Sequence, residues 1–179
     1  QSHAINGIPV IGWMGSPANF EQIRRLLPVL KKVRESHDFI FRYICRTNMD
    51  SDLVGLNTEH HFYGDDYYDL ISSFDIGISP YLEANVRTKG KIAMKHQEFL
   101  MCGIPQICSN VAISEFVENG RDVLIAKNEQ EWESCILTLL ENKDLRQKLA
   151  ENGRRIFNEY YLFESQYSKL KTVLTGISC

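Results

Sequence analysis

Short apolar runs alternate with amphipathic stretches from the start of the chain into its last third. The run "IPVIGWMG" (residues 8–15) has strand length and closes on glycine. After it, Ile23, Leu26, Leu27 and Leu30 recur at helical spacing, with Arg24, Arg25, Lys31 and Lys32 on the other side. Pro28 inside that stretch predicts a kink or a broken turn. The alternation repeats, with residues 38–46, 59–64, 75–80, 104–109 and 122–126 reading as further strands. Between them, "NMDSDLVGL" reads as a short helix or turn and "DDYYDLISSF" as a helix opened by acidic cap residues. "MKHQEFLMC" reads as a helix, and "ISEFVENG" as a short one. Three helical segments close the chain, at 128–142, 143–160 and 162–174, with Asn128 and Asp144 as cap candidates.

Six strands alternating with helices predict an α/β fold: a Rossmann-like, three-layer parallel sheet of about six strands with helices on both faces. Ligands of such sheets sit at the carboxyl ends of the strands, where the strand order reverses. The loops at those ends are residues 15–19, 80–91 and 109–114.

Composition places this fold in an ordinary globular chain. The 179 residues are 44% apolar and 24% charged, enough for one domain with a sizeable core. A net charge of −3 gives no global signal for nucleic acid or an anionic membrane, so any positive site is local. The five cysteines form no CxxC pair and no Cys/His cluster of zinc spacing, and their apolar contexts read as free buried thiols. That usage points to a reducing, cytoplasmic setting. No apolar run reaches the length of a membrane helix. Residues 1–7 read as a scar or an interdomain linker ahead of a domain over 8–179.

The strongest chemistry lies in "TKGKIAMKHQEFLMCGIP" (residues 88–105). Lys89, Lys91 and Lys95 crowd the start of a predicted helix, where the helix dipole disfavours cations. Exposed N–H groups at a helix start bind anions, and lysines beside them suit a strong anion. Lys95 and Glu98 share a helix face, so a phosphate at Lys95 leaves a carboxylate one turn deeper, able to accept from two neighbouring hydroxyls. This is the geometry of a nucleoside diphosphate across a strand end. The alternative is a solvated basic loop with a weak surface Lys95–Glu98 pair.

The ordered series "IGWMGSP", "DIGISPYLEANVRTKGK", "TKGKIAMKHQEFLMCGIPQICSNVAISEFVENGRDVLIA" and "LLENKDLRQKLAENGRRIFNEYYLFESQYSKL" resembles the carboxyl-terminal, donor-binding domain of glycosyltransferase family 4, retaining enzymes of the GT-B fold. The resemblance runs in order from about Ile8 to the end. It implies one half of a GT-B fold, transfer of a sugar from a nucleotide sugar with retention, and no metal or other cofactor. It implies that Glu98, at the second glutamate of an E-x7-E motif, holds the donor ribose. Lys91 and Lys95 would flank the diphosphate with Lys89 near it. Ile92, Ala93 and Met94 would offer backbone N–H groups, and Gly15 and Ser16 the loop that lets backbone approach the phosphates or acceptor. Glu115 is a further candidate for the donor cleft. The implied partners are a UDP- or GDP-sugar, an amino-terminal domain, and an acceptor glycan, lipid or small molecule, in polysaccharide biosynthesis. Any peripheral contact with the inner face of a membrane would go through that other domain. The 179-residue stretch alone is expected to bind nucleotide weakly and not to turn over.

Two positions depart from the family pattern. Gly90 stands eight residues before Glu98, where the first glutamate of the motif belongs, with Glu83 a possible substitute in the loop. The loop "GSPANFEQ" lacks the Arg and Lys that clamp the diphosphate in many members. These departures keep open a non-catalytic nucleotide-binding or scaffold domain, and a sugar-nucleotide epimerase of the same fold. Elsewhere, "DSD" (residues 50–52) matches a metal-chelating Asp-x-Asp but equally a helix cap. His60 and His61 alternate faces of a strand and cannot share a ligand. His96 reads as structural or solvent-facing, Cys102 and Cys108 as core, and Tyr67 and Tyr68 carry no signal of a role.

Overall fold

The computed structural model describes residues 7–81, 94–111 and 113–176. Six strands form one parallel sheet: β1 (Val10–Met14), β2 (Ile40–Ile44), β3 (Thr58–His61), β4 (Ile76–Ser79), β5 (Gln106–Ser109) and β6 (Leu124–Ala126). Their spatial order is β3-β2-β1-β4-β5-β6, so the order reverses between β1 and β4. The described helices are α1 (Glu21–Arg34), α2 (Tyr67–Ser72), α3 (Met94–Cys102), α4 (Glu129–Glu141), α5 (Lys143–Tyr160) and α6 (Phe163–Gly176), with 3-10 turns at Pro17–Asn19 and Asp50–Asp52.

The central strands are largely apolar on both sides because both sides are covered, while the edge strand β3 is polar and half-buried. Ile11, Trp13, Phe41, Tyr43, Ile76 and Ile78 point into one core with α1 and α4. Val10, Met14, Ile40 and Ile44 point into the other with Ile71, Phe74 and Phe99. On this second side the central ladder carries a glycine pair, Gly12 opposite Gly77. A Cβ on Gly12 would fall 2.0 Å from the Phe74 ring, and one on Gly77 2.8 Å from the Phe99 ring. The pair clears the sheet surface so that both rings, 6.3 Å apart at their centroids, lie directly on backbone. Phe99 is how α3 is seated on the sheet.

Several sequence expectations change in detail. α1 continues through Pro28 without ending there. Asp66 sits at the N-cap of α2 but makes no side-chain cap bond. Asn128 caps α4 as expected, accepting from Glu131 N–H at 2.9 Å. The cap of α5 is Asn142, which accepts from Leu145 N–H at 2.8 Å, rather than Asp144, which lies inside the helix. "ISEFVENG" is irregular chain with turns and an isolated bridge from Asn119 to Val123, not helix. There Ser114 Oγ accepts from Phe116 N–H and from the Tyr161 hydroxyl, and Phe116 stacks on Tyr160 at 4.1 Å. Those contacts win over local helical preference. Cys45 and Cys108 are buried thiols, while Cys102 and Cys135 are half-buried.

Candidate functional site

The carboxyl ends of β1 and β4 face each other at the switch point. β1 ends in Trp13 and Met14 and turns at Gly15 and Ser16, and β4 ends in Ser79, Pro80 and Tyr81. Tyr81 N–H donates to Ser109 Oγ at 2.8 Å, tying this turn to the end of β5. α3 begins beside these ends and runs down the sheet.

Lys95 reaches back from the first turn of α3 onto the β1 turn. Its Nζ stands 4.8 Å from the Trp13 ring centroid and 5.8 Å from that of Tyr81. Such ring faces attract a cation and fix where it sits. Gly15 is required here, because a Cβ on it would meet Trp13 Cζ2 at 2.6 Å and Lys95 Nζ at 2.9 Å. A side chain at position 15 would displace the ammonium. Lys95 is thus held at the switch point by two ring faces, while the other loop lysines lie outside the described residues.

Glu98 lies one turn deeper on the same helix and is half-buried. The Tyr67 hydroxyl, from the start of α2, donates to Glu98 Oε1 at 3.2 Å. Burial pushes the Glu98 carboxyl above the usual range, while the Tyr67 bond and the Lys95 charge pull it back. Burial, then the Glu98 charge, pushes the Tyr67 phenol up, so it stays a donor across ordinary pH. Tyr63 packs obliquely on Tyr67 at 5.2 Å, and burial pushes its phenol up.

Of the other expected residues, Ser16 opens the 3-10 turn, where its Oγ accepts from Asn19 Nδ2 at 3.0 Å. Met94 is the first described residue of α3 and is exposed. Glu115 is exposed on the turn after β5, because the short helix expected over "ISEFVENG" does not form. Lys89, Lys91, Ile92 and Ala93, like Gly90 and Glu83, lie outside the described residues. The structure therefore brings together Gly15, Lys95 and Glu98. It adds Trp13, Tyr63, Tyr67 and Tyr81, which the sequence reading missed. Trp13 had the one usable signal, an aromatic two residues before the loop glycine.

The remaining candidates are structural. Asp50 accepts from the Tyr43 hydroxyl at 2.8 Å and from Thr58 Oγ1 at 3.1 Å, and Asp52 pairs with Arg24 at 2.9 Å. His60 stacks on Tyr43 at 4.9 Å. His96 is buried, with Nδ1 donating to Gln106 Oε1 at 2.9 Å, and burial holds its pKa below the ordinary value. Among the described residues no helix is long and apolar enough to cross a membrane.

A parallel sheet of order 3-2-1-4-5-6 defines a Rossmann-like, doubly wound class of domain. Within that class, the chain belongs to the glycosyl transferase-like family, whose model matches residues 24–172. No curated protein matches it by sequence. Among solved structures it resembles TarM (TM-score 0.73, 16% identity, 94% of this chain and 36% of that one). It also resembles the C-terminal domain of a group 1 glycosyl transferase, LpcC, from Francisella tularensis (TM-score 0.68, 15% identity, 88% and 90% covered). A third is HepE from Anabaena, solved in complex with UDP (TM-score 0.70, 17% identity, 95% and 49% covered). These likenesses establish the fold, that of a GT-B domain. The chain spans about a third of TarM and half of HepE.

Proposed function

We propose that the chain is the donor-binding domain of a retaining glycosyltransferase, which transfers a sugar from a nucleotide sugar to an acceptor. The observation that carries this reading is the meeting of the Lys95 ammonium, the Gly15 turn and the Glu98 carboxylate at the switch point. In it, the diphosphate lies at the Gly15 turn against the Lys95 ammonium, which takes the space a side chain at position 15 would fill. Lys95 neutralises charge as the anomeric carbon–oxygen bond breaks and the diphosphate leaves with the electron pair. Glu98 accepts from the ribose hydroxyls and fixes the nucleoside. Lys89, Lys91 and the backbone of Ile92, Ala93 and Met94 complete the phosphate site, with Ser16 and Glu115 at its rim. Charge neutralisation by lysine and helix start requires no metal, so chelation is expected to leave the transfer rate unchanged.

Acceptor binding belongs, on this reading, to a second domain. α6 supports it: Phe163, Tyr167, Leu170, Val173 and Leu174 follow helical spacing and are all more than half exposed, a stripe patterned for burial. UDP is the first nucleotide to test, since it occupies the HepE structure. The test is thermal shift and calorimetry with UDP, GDP and their sugars, in which even weak binding raises Tm at high ligand. A response lost in Glu98→Ala supports the reading, and no response to any of them overturns it. Gly90, standing where a sugar-binding carboxylate is expected, favours a non-catalytic variant as the second reading. Absence of transfer by a two-domain protein that binds donor would establish it.

A further inference from the structure

We propose that Tyr67 is the positioning residue of this site: its hydroxyl holds the Glu98 carboxylate in the orientation that receives the donor's ribose hydroxyls. The inference rests on the reading of Glu98 given above. A phenol has one proton, and Tyr67 directs it to Glu98 Oε1 at 3.2 Å. The Tyr67 ring is itself fixed, with Tyr63 and Tyr68 each 5.2 Å away at their centroids and its inner edge against the core under α3. One carboxylate oxygen is thus anchored, and the other, with the spare lone pairs, is left for a vicinal diol. A freely rotating glutamate would give up that orientation on each binding event.

Charge matters as much as direction. An ionised carboxylate accepts from two hydroxyls, whereas a protonated one offers a donor where the diol needs an acceptor. Glu98 is half-buried, which favours protonation. Lys95 on its own helix and Tyr67 from α2 oppose this; Tyr63 from the loop after β3 and the half-buried Cys102 thiol one turn on also feel its charge. Tyr67 is the hydrogen-bond donor in this set. Losing it makes ribose recognition weaker and more acid-sensitive.

The test compares UDP and 2′-deoxy-UDP binding by calorimetry at pH 6 and pH 8, in wild type, Tyr67→Phe, Glu98→Gln and the double variant. Phenylalanine keeps the ring contacts, and Tyr68→Phe serves as a control for ring chemistry alone. Wild type is expected to prefer UDP. Tyr67→Phe is expected to lose about 5-fold in UDP affinity at pH 6, the effect of one hydrogen bond, to recover part of it at pH 8, and to discriminate less against the deoxy ligand. The double variant is expected to bind as Glu98→Gln does. Wild-type discrimination and pH profile retained in Tyr67→Phe would overturn the role of Tyr67 alone, as would a double variant weaker than Glu98→Gln by the full Tyr67→Phe factor. Equal binding of the two ligands by wild type, or binding of neither, would overturn the Glu98 reading and this inference with it.

Discussion

Gly12→Ala is expected to destabilise the domain strongly, although it adds one methyl group in the middle of a strand. The added carbon would lie 2.0 Å from two Phe74 ring carbons and 2.3 Å from a third. Carbon pairs settle near 3.5–4.0 Å, so the ring must retreat by roughly 1.5 Å or more. It has little room, because Phe74 is 2% exposed and Phe99 stands 6.3 Å away. Overpacking of this kind costs about 1–3 kcal/mol, and the overlap puts Gly12→Ala at the upper end. For a chain of this size that lowers Tm by about 4–12 °C. The assay is urea unfolding of wild type, Gly12→Ala, Phe74→Leu and the double variant. Phe74→Leu alone costs about 1–2 kcal/mol as an ordinary core truncation. If the clash with Phe74 is the cause, the double variant loses less than the sum of the singles by about 1 kcal/mol or more. Additive singles, or a Gly12→Ala protein within about 0.5 kcal/mol of wild type, would refute the reasoning.

Lys95→Met keeps the stem over Trp13 and removes the charge; nucleoside diphosphate affinity is expected to fall about 10-fold or more, from loss of a charge-assisted contact, with a shallower salt dependence measured by calorimetry. Glu98→Gln is expected to raise stability at neutral pH. Burial lifts the Glu98 carboxyl above its unfolded value, so wild type loses that stability as pH rises through the folded pKa, and the two proteins converge below about pH 4 in pH-dependent melts. Asp122→Asn has the opposite sign. Burial pulls that carboxyl up, but bonds from Arg121 and from Glu118 N–H outweigh it, and the pKa is lowered. Its loss is expected to cost about 1.5–3 kcal/mol at neutral pH, with the gap to wild type closing below about pH 4 in urea titrations.

The central strands were legible because a sheet covered on both faces leaves few polar positions within them; the edge strand β3, Thr-Glu-His-His, has no apolar run and is defined by its pairing with β2. α4 was legible from Asn128 through its 3.6-residue period. What local pattern missed was decided by distant partners. Asn142 rather than Asp144 begins α5 because its extended backbone (φ −117°, ψ 91°) aims the side chain at Leu145 N–H. Residues 113–118 have the composition of a helix, yet Tyr160 and Tyr161, more than forty positions away, hold Phe116 and Ser114 in a turn. The site divides the same way. Lys95 and Glu98 could be paired from sequence because they share one helix. Trp13, Tyr67 and Tyr81 come from three other segments that meet only through the sheet order.

That sheet order also links the fold to the chemistry. β1 and β4 are far apart in sequence and adjacent in space, which puts Gly12 opposite Gly77 and clears the backbone for Phe74 and Phe99. Phe99 is four residues on from Lys95 and next to Glu98, so its depth sets theirs. Seated this low, α3 can lay Lys95 over Trp13 at the Gly15 turn, and it also carries Glu98 out of full solvent. A carboxylate at that depth tends toward protonation unless a donor meets it. α2 ends at Ser72, just ahead of Phe74, and begins at Tyr67, whose hydroxyl is that donor. The ring that needs Gly12 and the phenol that meets Glu98 thus stand at opposite ends of one short helix. A change that lifts Phe74 is therefore expected to disturb the Tyr67–Glu98 contact as well as the core, which, on the proposed reading of Glu98, ties ribose recognition to packing on the far side of α2.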